Sequence, residues 1–424
     1  MNHFELRAGE LCCEDVPLAA IAQAVGTPVY VYSTATLERH YTVFRDAFRP
    51  HGERLGEPLI AYAVKANSNV SVLRTLARLG SGADTVSEGE IRRALVAGVP
   101  PERIIFSGVA KTDAELGFAL DAGVHQINVE SAPELERLAV VAEQRRVRAP
   151  VALRVNPEVR AGGHDKIATG KADSKFGVPL GQVPALYAQA EGTASLEALG
   201  LACHIGSQIT DLAPLEETFR KLRDLVERLR GQGLRVDRLD LGGGLGAPYF
   251  HQPEPPGPEA LAEMVARVFG GLQVELAFEP GRMIAANAGV LLTRVVHVNV
   301  RPDGRRFLVL DAGMNDLLRP AMYDAYHDLR PVRPAPGETA PHDVVGPVCE
   351  SSDVFAVERS LAPMQAGDLA VFMTAGAYGA AMASEYNTRP LVPEVLVRGG
   401  DFAVVRARET YEQILAREAP APWL

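Results

Sequence analysis

The feature that most constrains the fold of this chain is a regular alternation of short apolar segments with amphipathic helical segments. Eight apolar segments follow one another, at 59–64, 82–86, 103–107, 126–129, 151–155, 199–205, 238–241 and 274–278. Helical periodicity separates them, as at 90–97, 113–122, 133–145, 215–230 and 258–269. Eight strands alternating with helices predict an α/β fold, a (β/α)8 TIM-like barrel. A doubly wound open sheet is the competing α/β arrangement.

A different pattern begins after Arg282. Segments with alternating polar and apolar residues, and with no long helix between them, lie at 290–300, 306–310, 354–357, 369–372 and 402–407. They predict a separate all-β domain. We therefore expect a barrel over 33–285 and a β domain over 286–424 that also takes in 1–32, with the Pro-rich stretch 331–341 as an exposed loop.

The composition is typical of a globular enzyme. The 424 residues are 47% hydrophobic and carry a net charge of -10, and no basic cluster is interleaved with aromatics, so nucleic acid is not an expected partner. No apolar run is long enough to span a bilayer and the N-terminus lacks signal-peptide features, which predicts a cytoplasmic protein without membrane contact. Four cysteines without CxxC or zinc spacing indicate neither disulfides nor a metal.

Lys65 stands directly after the first predicted strand, and it is one of only six lysines in the chain. A lysine at a strand end that loses solvent is pushed toward the neutral amine, which Schiff-base chemistry requires. The alternative is a lysine whose side chain extends from the strand end into solvent. The local sequence does not decide between the two.

Three further strand ends carry polar or glycine-rich sequences: His204–Gln208, Gly242–Gly246 and Glu279–Arg282. Taken singly, His204 could be a packed core histidine and Glu279 a structural acid, and most glycine-rich turns bind nothing. In a barrel they share one rim with Lys65, where the loops after strands seven and eight commonly hold phosphate. A lysine, a phosphate cradle, a flat imidazole and an acid for a pyridine nitrogen fit pyridoxal phosphate.

Six ordered motifs carry a resemblance to a known family: YAVKAN (62–67), HIGSQ (204–208), GGGLG (242–246), EPGR (279–282), CESSD (349–353) and GAYG (376–379). The chain resembles the fold-type III pyridoxal-phosphate decarboxylases, whose fold is alanine racemase-like, with a TIM-like barrel and a C-terminal all-β domain. The resemblance extends to SKFG (174–177), 311–327 and 382–390, and so covers nearly the whole chain.

The resemblance implies a role for each matching residue, with pyridoxal 5'-phosphate as cofactor and no metal. Lys65, His204 and Cys349 would be catalytic: Lys65 holds the cofactor, His204 stacks on its ring and Cys349 returns a proton to the substrate. The residues that would bind the cofactor, besides Lys65 and His204, are Ser207, Gly243, Gly244, Gly246, Glu279, Gly281, Arg282 and Tyr378. The residues that would bind the substrate are Arg282, Arg319, Tyr323, Glu350 and Tyr378. Cys349 and Glu350 would serve the other subunit of a homodimer with shared sites, so that the β domain completes the active site.

The reaction that the resemblance implies is decarboxylation of meso-2,6-diaminopimelate to L-lysine and CO2, the last step of lysine biosynthesis. The far end of this substrate is itself an amino acid, and Arg282 and Arg319 with Glu350 supply both charges that it needs. Decarboxylation of ornithine or arginine is the alternative, although those relatives usually carry Asp after the cysteine. A racemase and a non-catalytic cofactor carrier are the other two hypotheses.

Several of these assignments also have a purely structural alternative. Cys349 could be an inert buried thiol, Arg319 could cap a loop, and Tyr323 could only pack. Glu88 and Glu385 stand where the family commonly has glycine and asparagine, and they leave the fine substrate preference open. The glycine-rich stretch 161–175 is the candidate for a mobile loop.

Overall fold

The structure, a computed structural model, describes residues 2–159, 170, 174–249 and 254–424. The chain forms two compact units. The barrel unit comprises Glu38–Ala247 and Pro253–Ile284, and the β unit comprises Met1–Leu37, Pro248–Gln252 and Ala285–Leu424. The predicted functional division of the two domains stays a prediction, and the candidate mobile loop 161–175 lies mostly outside the described residues.

Eight parallel strands form the closed sheet of the barrel unit. From the first to the eighth they are Leu59–Ala63, Gly82–Thr85, Ile104–Phe106, Gln126–Val129, Ala149–Asn156, Leu196–Ala202, Arg238–Asp240 and Glu275–Phe278. The eighth strand pairs with the first through Ala277 with Leu59 and Phe278 with Ile60, which closes the ring. The predicted TIM-like barrel is therefore confirmed. A two-residue strand, Val178–Pro179, pairs in parallel with the last two residues of the fifth strand.

Helices connect the barrel strands in the predicted rhythm. They are Val70–Ala77, Glu88–Ala97, Asp113–Ala122, Ala132–Arg145, Val183–Gly192, Ala213–Gly231 and Pro258–Phe269, with short helices at Gly52–Leu55 and Arg282–Ala285. Ser87, Thr112 and Ser131 cap three of them by accepting a hydrogen bond from the backbone N–H three residues on. These caps fix where each helix begins after its strand.

The barrel has an apolar layer inside and an aromatic contact outside. Ala61, Ile105 and Ala277 pack together in the interior. Because side chains alternate along a strand, Phe278 points outward, where its ring lies 4.5 Å from that of Phe48 and 5.9 Å from that of Phe44 between centroids. The strands are thus buried on both faces, as their unbroken apolar runs require.

The β unit is built on a nine-stranded sheet, in which seven strands follow one another in a single path. In spatial order these seven strands are Val354–Leu361, Ala340–Val345, Arg306–Leu310, Gly289–Val300, Val29–Ser33, Glu394–Arg398 and Asp401–Arg406. Leu369–Phe372 pairs with Gly289–Val300 and with Leu329–Pro331. A small sheet of Phe4–Arg7, Glu10–Cys13 and Val16–Pro17 precedes it, and the helices are Leu18–Val25, Arg319–Tyr323 and Tyr411–Leu415. The helix Thr34–Ala47 begins in the β unit and belongs to the barrel unit from Glu38 onward.

The N-terminal segment joins the β unit through a central strand. Val29–Ser33 (VYVYS) is buried at every position and pairs with Gly289–Val300 on one side and Glu394–Arg398 on the other. Val31, Val290 and Val395, one from each of these strands, belong to the same apolar core. β-branched and aromatic residues at each position suit a strand that is covered on both faces.

The Pro-rich stretch 331–341 departs in part from the predicted exposed loop. Pro331 ends one strand, Ala340 begins another, and Val332 between them is buried in the core. Residues 333–339 are exposed, as predicted. Among the described residues, no helix combines the length and the apolar character needed to cross a membrane.

A buried carboxylate ties three segments of the β unit together and yields a stability prediction. Glu14 accepts hydrogen bonds from Ser33 Oγ (2.8 Å), Ala35 N (2.9 Å) and Gly399 N (2.6 Å). Glu14→Ala leaves buried donors unsatisfied, and we expect it to lower the free energy of unfolding by about 2–4 kcal/mol. Urea denaturation measures this loss. Glu5→Ala, on an exposed position nearby, is the control and should stay within about 0.5 kcal/mol of the wild type.

Candidate active site

The carboxyl ends of the barrel strands bring four sequence motifs to one rim. Lys65 follows the first strand, His204 the sixth, Gly242 the seventh and Glu279 the eighth. In a closed parallel barrel these ends face the same side, and it is there that the active sites of such barrels lie. All nine barrel residues predicted for the site therefore belong to one rim.

Lys65 is paired with an acid on the neighbouring strand. Its Nζ lies 2.5 Å from Asp84 Oδ2, and the lysine side chain is 34% exposed whereas that of Asp84 is fully buried. The predicted neutral amine stays a prediction, because loss of solvent favours the neutral form while a carboxylate in contact favours the ammonium form. The pair holds Lys65 in place and offers an acceptor for its proton.

His204 is held as a neutral imidazole. The surrounding protein atoms desolvate it, and the positive charges of Arg154 and Lys65 add to this effect, so its pKa lies well below the usual value. Gly243 N–H donates to His204 Nδ1 over 3.2 Å, which places the ring hydrogen on Nε2. A flat, uncharged ring in a fixed orientation is suited to stacking on a planar cofactor.

Glu279 and Asp240 form a buried pair of carboxyl groups at the ends of neighbouring strands. Burial raises the pKa of Glu279 well above its usual value, and the negative charges of Asp240 and Asp84 raise it further. Burial also raises the pKa of Asp240, although hydrogen bonds from Glu279, Asn128 and Gly242 N oppose the shift. The pair therefore holds a proton, and Glu279 is where we place it.

The glycine loop after the seventh strand runs closer to its neighbours than any side chain would permit. A Cβ on Gly243 would lie 2.1 Å from Glu279 O, and one on Gly244, whose φ is +116°, would lie 2.7 Å from Gly206 O. The N–H of Gly243 is directed to His204, and that of Gly246 to Ile209 O at 3.1 Å. The predicted contacts of these glycines with a phosphate stay a prediction.

The loop after the eighth strand joins two other motifs. Arg282, which is buried, donates from Nε to Ser207 Oγ over 3.0 Å. Gly281 lies against the end of the first strand, where a Cβ would meet Ala63 and Ala66 at 3.0 and 3.1 Å. The structure thus brings Ser207, Gly281 and Arg282 together beside the segment that carries Lys65.

The remaining predicted residues lie in the β unit, and two of them share one helix. Arg319 and Tyr323 stand on Arg319–Tyr323, and the arginine is buried while the tyrosine is half-buried. Arg319 Nη1 lies 2.8 Å from His327 Nε2, and its guanidinium carbon lies 5.1 Å from the centre of the Tyr249 ring. Arg319 is therefore an ordered cation with contacts of its own, and the alternative that it caps a loop is not needed.

Cys349 and Glu350 occupy an exposed turn of the β unit. The thiol side chain is exposed, so Cys349 is not the inert buried cysteine of the structural alternative. The buried Asp353 holds the turn by accepting from Val348 N (2.6 Å) and Met314 N (2.6 Å), and Cys349 N donates to Asn387 Oδ1 (2.7 Å). An ordered, exposed thiol is accessible to a second molecule.

Tyr378 is half-buried and its φ is +55°, a left-handed backbone conformation that is uncommon for tyrosine. Such a conformation costs about 1–3 kcal/mol and is found most often at functional sites.

Glu88 and Glu385, the two residues that depart from the family pattern, each form an ion pair with an arginine, Glu88 with Arg92 and Glu385 with Arg417.

Sequence reasoning missed four residues that contact the predicted ones: Asp84, Asp240, His327 and Tyr249. Asp84 and Asp240 did carry a signal, since each is an acid within a short barrel strand. His327 and Tyr249 stand within or beside quoted motifs, but their contacts with Arg319 arise only from the tertiary fold.

Comparison with known proteins places this geometry in a class of enzymes. Residues 35–286 match the family model of the pyridoxal-dependent decarboxylases, pyridoxal binding domain. This match covers more than half of the chain and contains the first strand with Lys65 and the last with Glu279. The fold and the rim define a pyridoxal-dependent decarboxylase.

Relatives that match the full length of the chain identify a narrower family within this class of enzymes. The chain is 49% identical to diaminopimelate decarboxylase of Zymomonas mobilis and 46% identical to that of Vibrio cholerae, in both cases over 100% of each protein. The crystal structure of the M. jannaschii diaminopimelate decarboxylase in complex with L-lysine superposes with a TM-score of 0.94 at 35% identity, over 100% of both chains. This chain belongs to the family of the diaminopimelate decarboxylases.

The rim has the features that the family's cofactor, pyridoxal 5'-phosphate, requires. Among the described residues, Glu279 Oε1 is a buried oxygen with no hydrogen-bond partner, and it would be satisfied by a hydrogen bond with a ring nitrogen. Gly243 and Gly244 let the loop lie directly against the backbone of Glu279 and Gly206, so the glycine loop runs beside this acid. A lysine, a neutral imidazole and a proton-bearing acid complete a donor set that fits this group.

The rim also yields a prediction on pH. Burial raises the pKa of Glu90 to about 7, the charge of Asp84 adds to the shift, and the hydrogen bond from Val86 N (2.8 Å) opposes it. Ionising Glu90 therefore destabilises the folded state, and this cost is absent below pH 4.5, grows up to about pH 7 and is constant above. Relative to Glu90→Gln, the wild type should lose unfolding free energy as the pH rises through this window.

Urea denaturation of both proteins at a series of pH values measures the difference. Glu136→Gln, on an exposed helix position, is the control, and its curve should run parallel to that of the wild type. A difference between Glu90→Gln and the wild type that does not change with pH would contradict the prediction.

Proposed function

We propose that this chain decarboxylates meso-2,6-diaminopimelate to L-lysine and CO2, the last step of lysine biosynthesis. The observation that carries the proposal is the buried cation Arg319 in a chain with full-length similarity to diaminopimelate decarboxylases. A substrate with a second carboxylate needs such a cation, whereas a diamine-forming substrate such as ornithine does not.

The barrel residues would hold the cofactor and control its charge. Pyridoxal phosphate, when bound, supplies an electron sink for the bonding pair left at Cα as CO2 departs. Lys65 would carry it, with Asp84 as the acceptor for the lysine proton, and His204 would stack on its ring. Glu279, which holds a proton in the buried acid pair, would face the ring nitrogen. The glycine loop with Ser207 would hold the phosphate.

The residues of the β unit would hold the substrate end that does not react. Arginine at the departing carboxylate would stabilise the ground state more than the transition state, so the arginines suit the carboxylate that stays. Arg319 and Arg282 would bind it, with Tyr323 and Tyr378 beside it. Glu350 would bind the far amino group, which ornithine would also require.

Cys349 would donate the proton that replaces CO2, and it would do so in the site of a second subunit. The exposed turn of Cys349 and Glu350 supports a homodimer in which each chain completes the other's site. All four cysteines are free thiols, which suits the reducing cytoplasm as the place of action.

The direct test is CO2 release from purified, cofactor-loaded protein supplied in parallel with meso-diaminopimelate, ornithine, arginine and lysine. We expect gas from diaminopimelate alone, with L-lysine formed in equal amount. Faster CO2 release from ornithine or arginine would change the assigned substrate but leave the assigned reaction, decarboxylation, unchanged. Loss of the optical activity of L-ornithine, L-arginine or L-lysine without gas would indicate a racemase, and tight cofactor binding without turnover would indicate a carrier.

Sharing of sites between subunits predicts that two impaired variants restore one another. Lys65→Ala and Cys349→Ala each damage both sites of a homodimer, but a mixed dimer has one site with neither substitution. An equal mixture after subunit exchange should recover about a quarter of wild-type activity, because half of the dimers are mixed and each has one intact site.

The control is a mixture of Lys65→Ala with His204→Ala, two residues expected from the same subunit in every site. That mixture should stay inactive. Restoration in the control, or none in the first mixture, would show that Cys349 does not act across a subunit interface.

A further inference from the structure

A buried histidine contacts the arginine that is proposed to bind the substrate. His327 is 1% exposed, and its Nε2 lies 2.8 Å from Arg319 Nη1. Tyr249 packs on both, with its ring edge-on to the imidazole at 5.8 Å and its face 5.1 Å from the guanidinium carbon. All three residues belong to the β unit.

The hydrogen bonds of His327 determine its charge and tautomer. Arginine has N–H donors and no acceptor, so His327 Nε2 must accept and cannot carry a hydrogen. The other ring nitrogen, Nδ1, lies 3.0 Å from Met373 O, a carbonyl that can only accept, so Nδ1 must carry the hydrogen. His327 is therefore a neutral imidazole with its hydrogen on Nδ1.

The ring is fixed in this position from two directions. Met373 directly follows the strand Leu369–Phe372, and His327 O accepts a hydrogen bond from Arg359 Nη1 (2.5 Å) on the strand Val354–Leu361. The backbone and the ring of His327 are thus each attached to the sheet. An acceptor held in this way restricts the orientation of Arg319.

A neutral acceptor has a specific advantage for a residue that must bind an anion. A carboxylate in the position of His327 would orient Arg319 equally well, but its charge would offset that of the guanidinium and weaken its attraction for a substrate carboxylate. The imidazole accepts from one N–H group of Arg319 and itself carries no charge that would offset that of the guanidinium.

We propose that His327 is a positioning residue for substrate recognition: it holds Arg319 in the orientation that binds the far carboxylate, and so sets the preference for an amino acid over the corresponding diamine. The inference deepens the proposed function and rests on it. His327 itself is not proposed to contact the reacting atoms or the departing carboxylate, so its removal would change substrate binding only through Arg319.

The test compares two amide variants of the cofactor-loaded protein. Asn in place of His327 can retain the contact with Met373 O but is too short to reach Arg319, whereas Gln extends its amide oxygen to the position of Nε2. The probes are L-lysine, which has the carboxylate, and 1,5-diaminopentane, which lacks it. Titration calorimetry gives the affinity of each probe, and steady-state kinetics with meso-diaminopimelate gives KM and kcat.

We expect His327→Asn to weaken L-lysine binding about tenfold or more, with the affinity for 1,5-diaminopentane unchanged. KM for diaminopimelate should rise by a similar factor, with a smaller effect on kcat. His327→Gln should recover most of the L-lysine affinity. An equal loss for both probes would point to a general structural role and overturn the inference.

The outcomes separate this inference from the proposed function. A wild-type protein that prefers L-lysine, together with a His327→Asn variant that keeps the same preference, would overturn the inference and leave the function standing. A wild-type protein with no preference for L-lysine over the diamine would overturn both.

A second measurement does not require the Asn variant to fold. In wild-type protein with 15N-labelled histidine, the signals missing from His327→Gln belong to His327. A neutral ring with the hydrogen on Nδ1, with and without L-lysine, supports the inference. An imidazolium, or a hydrogen on Nε2, would overturn it.

Discussion

The closure of the parallel barrel is the constraint on which the rest of the site depends. Lys65 and Glu279 stand at opposite ends of the barrel sequence, and they share a rim only because the eighth strand pairs with the first. Parallel pairing also requires every carboxyl end to face the same side, so His204 and the glycine loop reach that rim without any contact that is specific to them. The helices between the strands supply the apolar cover that makes this arrangement stable.

The same closure concentrates negative charge, and this has a chemical consequence. Asp84, Asp240 and Glu279 lie at or near the carboxyl ends of barrel strands and are all buried, where ionised carboxylates lose their hydration. Asp84 is paired with Lys65, while the other two share hydrogen bonds and retain a proton. A basic nitrogen placed beside Glu279 would relieve this strain, since the proton would gain a better acceptor and the carboxylate a cation. If Glu279 faces the ring nitrogen as proposed, the barrel would favour one orientation of the pyridine ring before the ring binds.

Much of the fold and part of the site could be predicted from the sequence, for identifiable reasons. The barrel strands are buried on both faces, so they appear as apolar runs, and the motif at Lys65 follows one of them directly. Ala340–Val345 (APHDVV) was not predicted as a strand, because its proline, histidine and aspartate interrupt the apolar pattern. It forms a strand through pairing with its neighbours in the sheet. The pairs of Lys65 with Asp84 and of Arg319 with His327 could not be predicted because each pair forms only across strands or loops in the tertiary fold.

The two pairs differ in a way that matches what each cation must do. In the proposed function Lys65 would have to give up a proton before its nitrogen could bond to a carbonyl carbon, and Asp84, at 2.5 Å, would be an acceptor for that proton. Arg319 would have to keep its charge in order to attract a carboxylate, and it contacts an imidazole that takes a hydrogen bond without offsetting the charge. An acid beside the lysine and a neutral base beside the arginine are therefore not interchangeable. An exchange of the two partners would leave Lys65 without an anionic acceptor for its proton and would cancel the charge of Arg319.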